Sequence, residues 1–276
     1  MRSHVVAWLE QFLPSTAAQL LAPTWFTMTG LAGLLTLWVL LRHARRDGVD
    51  SAAVATVALV AYVAAVSAGV LVPLAIELGQ GFVRHGTVRI RYAGMTSFWG
   101  YLGGALAVWV MCRRGTPPLG WLVDRATAML GVSLAMIRTG CFLAGCDYGQ
   151  VTSSSFALRF PRGSPAWRDH VREGLVPAHR DLSLPVHPTQ LYEAAFGLLV
   201  AIAAWAYTRR RERVGRGRVF LAAAVAYAVA RLGIESLRGD DARGYLAGMS
   251  SGQVFALALL GAVALGAAVR GRIVTR

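Results

Sequence analysis

The sequence predicts an all-α membrane protein with about seven transmembrane helices. Of its 276 residues, 55% are hydrophobic and 15% are charged, whereas roughly a quarter of the residues in a soluble domain carry a charge. Apolar runs of about 17 to 25 residues recur along the chain, and each is long enough to cross a hydrocarbon core of about 30 Å. These observations predict a single polytopic membrane domain over residues 1–276.

Hydropathy in windows of about 19 residues places the spans. The predicted helices cover residues 24–41, 52–78, 98–112, 119–137, 188–207, 219–237 and 251–269. The preceding segment, residues 1–22, has a short apolar stretch interrupted by Glu10, Gln11 and Pro14. It predicts an amphipathic helix at the membrane interface rather than a cleaved signal peptide.

The distribution of arginines among the loops predicts the orientation of the chain in the membrane. The chain has a net charge of +14 and no lysine; fourteen arginines lie in one set of connections and five in the two short loops of the other set. The first set comprises 42–50, 113–118, 208–218 and the tail from Arg270, and the two short loops are 79–97 and 238–250. Because cytoplasmic loops carry the excess of positive charge, we expect an external N-terminus, a cytoplasmic C-terminus and a long external loop at 138–187 between helices 4 and 5. Charge gathered at helix ends also argues against a nucleic-acid partner.

Four polar clusters fall at the predicted outer surface. The first, Gly94–Gly104, surrounds Trp99, and its glycines suit either helix packing or the close approach of a ligand. The second, Arg138–Gly149, starts with an arginine near the end of an apolar helix. That arginine either extends to the interface or holds a phosphate through its two-pronged guanidinium.

The third and fourth clusters carry ionisable groups at membrane depth. In His187–Glu193, Gln190 and Glu193 share a helix face, and Glu193 lies about one turn into the bilayer, where a charge indicates function. In the fourth, Arg231, Glu235 and Arg238 form one helical stripe. This stripe is either a structural ion pair or a site of net positive charge that an anion completes.

Taken in order, the clusters resemble the prolipoprotein diacylglyceryl transferase family over roughly residues 24–270. The segments FWGYLGG, RTGCFLAGCDYG, HPTQLYE and RLGIESLR are similar to the family motifs GxSFHGGLxGG, GRxGNFxNxExxG, HPSQLYE and RFxxEFxR. The chain is a divergent member by this resemblance. Trp99 stands in place of the family histidine, and Cys141, Ala144 and Cys146 stand in place of two asparagines and a glutamate.

The resemblance implies a bacterial inner-membrane enzyme whose site faces the periplasm or exterior. It implies transfer of diacylglyceryl from phosphatidylglycerol, or a related anionic phospholipid, to a lipobox cysteine of a prolipoprotein signal peptide or to another acceptor. The expected catalytic residues are His187, Glu193 and Glu235. The expected substrate-binding residues are Arg138, Arg231, Arg238, Gly140, Gln190, Tyr192, Tyr148 and Trp99. We expect no cofactor.

Two other function classes remain open. A non-catalytic phospholipid-binding or lipid-translocating protein fits Trp99 at the position of the family histidine. A small transporter fits less well, because the polar groups gather at one face and no internal repeat is visible.

Cys141 and Cys146 admit three interpretations. They are small packing residues, a disulfide across a glycine-containing turn, or part of a metal site with Asp147 and His187. Their spacing matches no established zinc pattern, so the sequence predicts no metal.

Overall fold

The fold consists of α-helices, short connections and one structured loop. A computed structural model describes residues 25–85, 97–240, 245–246 and 248–274. Within these residues the helices are α1 (Trp25–Asp47), α2 (Ser51–His85), α3 (Ser97–Cys112), α4 (Leu119–Ala144), α5 (Pro165–Arg172), α6 (Thr189–Thr208), α7 (Arg218–Ser236) and α8 (Ser251–Val274). A 3-10 turn at Arg211–Arg213 precedes α7, and the strands β1 (Tyr245–Leu246) and β2 (Met249–Ser250) form an antiparallel hairpin before α8.

Each predicted span overlaps one of these helices. Four helices hold stretches long and apolar enough to cross a membrane: Ser51–Ile76, Leu119–Ala144, Thr189–Thr208 and Arg218–Ser236. The chain is therefore a multi-pass all-α membrane protein. The predicted interfacial segment at residues 1–22 lies outside the described residues. The short helix α5, inside the predicted external loop, is an element that hydropathy does not predict because it is not apolar.

The predicted end of α4 is wrong by seven residues. The helix continues past Gly140 to Ala144, so Arg138 is helical and the loop begins at Gly145 rather than at residue 138. One glycine inside a helix costs only about 1 kcal/mol, which the surrounding apolar sequence offsets. The helix ends at Gly145, whose φ of +79° is a left-handed conformation that glycine adopts without steric cost.

Contacts group the chain into two compact units. One comprises Met1–Thr36, Thr127–Arg209 and Phe220–Arg276, and the other comprises Leu37–Ala126 and Arg210–Val219. In the second unit the fully buried Asp124 accepts hydrogen bonds of 2.9–3.0 Å from the backbone N–H groups of Gly215, Gly217 and Val219. This carboxylate fixes the connection between α6 and α7.

In the first unit α4 and α6 cross at a pair of glycines. A Cβ atom at Gly131 would lie 2.5 Å from the carbonyl oxygen of Gly197 and 2.7 Å from the backbone nitrogen of Ala201. No side chain fits between backbones at these separations. The crossing brings the C-terminal part of α4 beside the start of α6, where two of the polar clusters lie.

The connection from α4 to α6 is a small structured region built on its own core. Tyr148, Phe160, Ala166 and Val186 are buried together. Ser164, directly before α5, caps this helix, because its hydroxyl oxygen accepts a hydrogen bond from the backbone N–H of Trp167. The backbone N–H groups of Gly149 and Gln150 donate to the carbonyl oxygens of His187 and Leu237, which fixes the region against the start of α6 and the end of α7.

We predict that Gly131→Ala lowers the free energy of unfolding by about 1–3 kcal/mol, because the methyl group meets backbone atoms that cannot turn aside. Gly30→Ala is the matched control, since no heavy atom of the described residues, apart from its chain neighbours and the backbone of its own helix, lies within 4 Å of a Cβ atom built there. Chemical unfolding in detergent measures both. Equal stability of the two variants would contradict the close crossing.

Candidate active site

Arg138, near the end of α4, forms an ion pair with Asp147 in the turn that follows the helix. In the turn, the backbone N–H of Cys146 donates to the carbonyl oxygen of Cys141 over 3.1 Å, and that of Gly145 donates to Phe142 over 3.1 Å. These two bonds define a Schellman motif. Asp147 follows with a φ of 55°, and its carboxylate Oδ2 lies 2.7 Å from Nη1 of Arg138.

The start of α6 holds this turn in place. The Thr189 hydroxyl donates to the carbonyl oxygen of Asp147 over 2.7 Å, and Nε2 of Gln190 donates to the carbonyl oxygen of Cys146 over 2.5 Å. One turn further along, Glu193 is buried and forms ion pairs with both Arg138 and Arg231. The Arg138 and Glu193 clusters of the sequence therefore meet in space.

The end of α7 supplies the remaining charges. The carboxylate Oε2 of Glu235 lies 2.5 Å from Nη2 of Arg231 and 3.9 Å from Nη1 of Arg238. Arg238 also reaches Oδ1 of Asp147 over 2.7 Å. A further acidic residue, Asp240, forms two hydrogen bonds of 2.7 and 2.9 Å with Arg238.

Six of these side chains form a closed ring of alternating charge, which we call the ionic ring. In order around the ring they are Arg138, Asp147, Arg238, Glu235, Arg231 and Glu193, and the last pairs again with the first. Glu193, Glu235, Arg231 and Arg238 are buried, whereas the Asp147 side chain is 29% exposed. The ring is therefore open to its surroundings mainly at Asp147.

Of the two interpretations of the fourth cluster, the described residues show the ion-paired arrangement. The stripe of Arg231, Glu235 and Arg238 has a net charge of +1 by itself, but the ring holds three arginines and three carboxylates, and Asp240 adds one more negative charge. The charge of +1 counts one helix alone. Burial of charge is tolerated only when each charge is paired, so carboxylates from other segments complete the set.

Asp147 and Arg238 lie outside the membrane-spanning helices, and their ion pairs shift the pKa values of both side chains. Burial alone would raise the pKa of the Asp147 carboxyl, but Arg138 and Arg238 lower it to about 2. Burial alone would lower the pKa of Arg238, but Asp240 and Asp147 raise it above its usual value. At neutral pH Asp147 is an anion held between two cations.

The predicted site residues His187, Tyr192 and Gln190 lie beside the turn at the start of α6. Nδ1 of His187 lies 3.3 Å from the Tyr192 hydroxyl, and the tautomer decides which group donates. The side-chain oxygen of Gln190 is buried and has no hydrogen-bond donor within the described part of the chain. Gln190 thus offers an acceptor that a bound hydroxyl group would satisfy.

Three other predicted site residues have different surroundings. Tyr148 is buried and donates its hydroxyl to Asp169 over 3.0 Å, which favours a role in holding the loop. Gly140 lies within α4, two residues after Arg138. Trp99 lies in the first turn of α3, which belongs to the second unit, and its role stays a prediction.

Cys141, Cys146 and Asp147 offer two sulfur atoms and a carboxylate oxygen within 4.8 Å of one another. Both oxygens of Asp147 are already paired with guanidinium groups, and these cations would repel a metal ion. The prediction that the site holds no metal therefore stays in place.

Sequence reasoning missed Asp147 and Asp240 as partners of the arginines. Asp147 lies within the second cluster and Asp240 two residues after Arg238. Acidic residues so close in sequence to arginines near the ends of apolar helices are a usable signal, because an arginine buried at membrane depth requires a counter-ion.

Comparisons with known proteins agree with the motifs. The family described as prolipoprotein diacylglyceryl transferase matches residues 17–269. A phosphatidylglycerol–prolipoprotein diacylglyceryl transferase of Rhizobium meliloti is 30% identical over 254 residues, which cover 86% of this chain and 84% of the relative. One of the same name from Clostridium tetani is 30% identical over 181 residues, 66% of this chain and 61% of the relative. A relative from Legionella pneumophila is 26% identical over 246 residues, 86% of this chain and 88% of its own length.

The packing of α8 against the ionic ring leaves no room for a side chain at Gly252. A methyl group at this position would lie 2.5 Å from Oε2 of Glu235 and 3.0 Å from Nε of Arg231. We predict that Gly252→Ala separates this pair and lowers the free energy of unfolding by about 1–3 kcal/mol. Gly261→Ala on the same helix is the control, because a Cβ atom there meets no described heavy atom within 4 Å outside its own helix backbone and chain neighbours. A Gly252→Ala protein as stable as this control would refute the contact.

Asp147 should make stability depend on pH in the acid range. Its pKa is lowered from 3.8 to about 2, so its contribution is complete above about pH 4 and disappears as the pH falls through about 2. We predict that the unfolding free energy of the wild type falls more steeply between pH 4 and pH 2 than that of Asp147→Asn. Parallel curves for the two proteins would show that the Asp147 carboxylate is not held by the arginines.

Proposed function

Because the chain belongs to the prolipoprotein diacylglyceryl transferase family, we propose that it transfers diacylglyceryl from phosphatidylglycerol, or from a related anionic phospholipid, to an acceptor thiol. The acceptor named by its relatives is a prolipoprotein, and the lipobox cysteine of such a chain is the proposed nucleophile. The ionic ring carries this proposal, because it gathers three arginines at the ends of apolar helices.

We propose that the lipid phosphate takes the place of Asp147 between Arg138 and Arg238. A phosphodiester carries one negative charge, as the Asp147 carboxylate does, so the exchange keeps the charge balance of the ring. Asp147 is the most exposed of the four carboxylates paired with the arginines, and it lies on a turn rather than in a helix. Its displacement into water therefore costs less than that of Glu193 or Glu235.

The same position provides a contact for the lipid headgroup. The unpaired buried oxygen of Gln190 lies on the side chain that already holds the turn after α4. A glycerol hydroxyl of phosphatidylglycerol would supply the missing donor. This contact favours a hydroxyl-bearing headgroup.

In the proposed reaction the acceptor sulfur attacks the glyceryl carbon that bears the phosphate. The carbon–oxygen bond breaks, the sulfur–carbon bond forms, and glycerol phosphate leaves with the bonding electrons. Arg138 and Arg238 stabilise the charge that develops on its phosphate. The thiol proton passes to a base of the protein.

His187 is the better of the proposed bases. Both oxygens of Glu193 are paired with arginines, so neither can take a thiol proton without the loss of an ion pair. His187 is only partly buried and lies beside Tyr192. If Nδ1–H donates to the Tyr192 hydroxyl, Nε2 is left to accept the thiol proton.

We also propose seven spans, an external N-terminus and a site that faces the periplasm or exterior of the inner membrane. The ends of three helices support this orientation. Arg42, Arg113 and Arg209 each lie over a tryptophan four residues earlier, with 4.8–5.8 Å between guanidinium carbon and ring centre. Tryptophan marks membrane interfaces and arginine marks the cytoplasmic side, and all three pairs lie at ends that the charge count assigns to the cytoplasm.

A phospholipid-binding protein without chemistry is the second candidate function. The pairing of every arginine of the ring with a carboxylate favours it, since such a closed site can hold a lipid without activating it. Purified protein with radiolabelled phosphatidylglycerol and a lipobox peptide separates the two functions. Release of glycerol phosphate supports the transferase, and binding of unchanged lipid supports the second candidate.

In that assay we predict that Arg138→Lys and Arg238→Lys lower turnover by at least about 100-fold, because an ammonium group lacks the two-pronged geometry of a guanidinium. Arg159→Lys is the control, since Arg159 is an exposed arginine of the loop. Turnover by either ring variant at the level of this control would remove that arginine from the phosphate site.

If the lipid phosphate replaces Asp147, loss of the Asp147 charge should strengthen the binding of phosphatidylglycerol. Asp147→Asn removes the charged competitor of the lipid phosphate, so its apparent Kd for phosphatidylglycerol vesicles should fall about tenfold, which corresponds to about 1.4 kcal/mol. Asp169→Asn, on the same loop, should leave the Kd unchanged. A weaker affinity in Asp147→Asn would contradict the exchange.

Orientation is testable with cysteines introduced at exposed positions of a variant without native cysteines. A cysteine at Ser155 should react with an impermeant maleimide added from outside, and one at Arg216 should not. Labelling at Arg216 alone would invert the topology and place the ionic ring on the cytoplasmic side.

A further inference from the structure

Cys141 and Cys146 lie at the two positions of the Schellman motif whose side chains meet. Gly145 is the left-handed residue, Cys141 is four residues before it, and Cys146 directly follows it. In this motif the corresponding side chains are typically in contact. We propose that the two thiols form a reversible disulfide, a modification site whose formation does not require the proposed transferase activity.

The backbone already has the arrangement that the bond requires. The hydrogen bond of 3.1 Å from the Cys146 N–H to the Cys141 carbonyl oxygen holds the two residues together. Their sulfur atoms lie within 4.8 Å of each other, and the Cys146 thiol lies 3.6 Å from the same carbonyl oxygen. A disulfide of roughly 2.05 Å then requires the two side chains to rotate towards each other.

The exposure of the two thiols indicates which of them reacts first with an external disulfide. Cys146 is partly exposed and Cys141 is buried. The Cys146 thiolate attacks a small-molecule disulfide such as oxidised glutathione, forms a mixed disulfide and releases one thiol. The Cys141 thiolate then attacks the Cys146 sulfur and releases the second thiol. Two protein thiols are oxidised and one external disulfide is reduced to two thiols, so electrons and protons balance.

A metal ion is the less suitable occupant of the same pair. Its third ligand would be Asp147, whose two oxygens lie 2.7 Å from guanidinium nitrogens of Arg138 and Arg238. A neutral disulfide requires no counter-charge, and it closes the turn that presents Asp147 to these arginines. The redox state of the pair thereby sets how freely that turn can move.

The experiment uses the whole purified protein and Cys112 as an internal control. Cys112 is buried in the second unit, in the core built around Trp121. Protein is equilibrated with oxidised glutathione, denatured, alkylated and weighed by intact-mass spectrometry. We expect one alkylated thiol, assigned to Cys112 by peptide mapping, and three alkylated thiols after dithiothreitol. Wild-type protein alone suffices for this measurement, so it does not depend on the folding of a variant.

Two variants test the order of attack. Cys141→Ser lacks the resolving thiol, so a glutathione adduct should accumulate on Cys146. Cys112→Ser should still lose two thiols to one bridge. Three alkylated thiols in the oxidised wild type would overturn the proposal, as would stoichiometric zinc that protects Cys141 and Cys146 from alkylation.

Discussion

The need to neutralise three buried or partly buried arginines governs the first compact unit. Arg138, Arg231 and Arg238 lie at the ends of apolar helices, where an unpaired charge costs several kcal/mol. Removal of one partner from a buried pair typically costs about 3–5 kcal/mol. The chain meets this constraint with carboxylates from the turn after α4, from α6 and from α7 itself. The ionic ring therefore fixes the positions of three segments at once.

Several local features serve this ring. The glycine pair Gly131 and Gly197 lets α4 and α6 approach closely enough for Arg138 to reach Glu193. The Schellman motif turns the chain back so that Asp147 faces Arg138, and the absence of a side chain at Gly252 leaves room for Glu235. Each feature contributes little free energy by itself, but together they determine whether the six charged side chains can form the ionic ring.

Among the described residues hydropathy predicted the positions of α1 to α4 and α6 to α8, because an apolar run marks each of them, and four of these helices are long and apolar enough to cross a membrane. It could not predict α5, which is a polar surface helix, or the end of α4, where the stop is a left-handed glycine rather than a loss of hydrophobicity. The polar clusters identified Arg138, Glu193, Arg231, Glu235 and Arg238. The pairing of Glu193 with Arg138 and Arg231, and of Asp147 with Arg238, joins segments about 40 to 90 residues apart, which no local pattern encodes. Asp147 and Asp240 also pair with arginines nine and two residues before them, and this local signal was not used.

The proposed function depends above all on replacement of Asp147 by a phospholipid phosphate between Arg138 and Arg238. An electron cryo-microscopy structure in nanodiscs rich in phosphatidylglycerol tests this replacement most directly. We predict phosphate density within hydrogen-bond distance of both guanidinium groups, with the Asp147 carboxylate turned towards water. A lipid phosphate bound elsewhere, with the ionic ring still closed through Asp147, would contradict it.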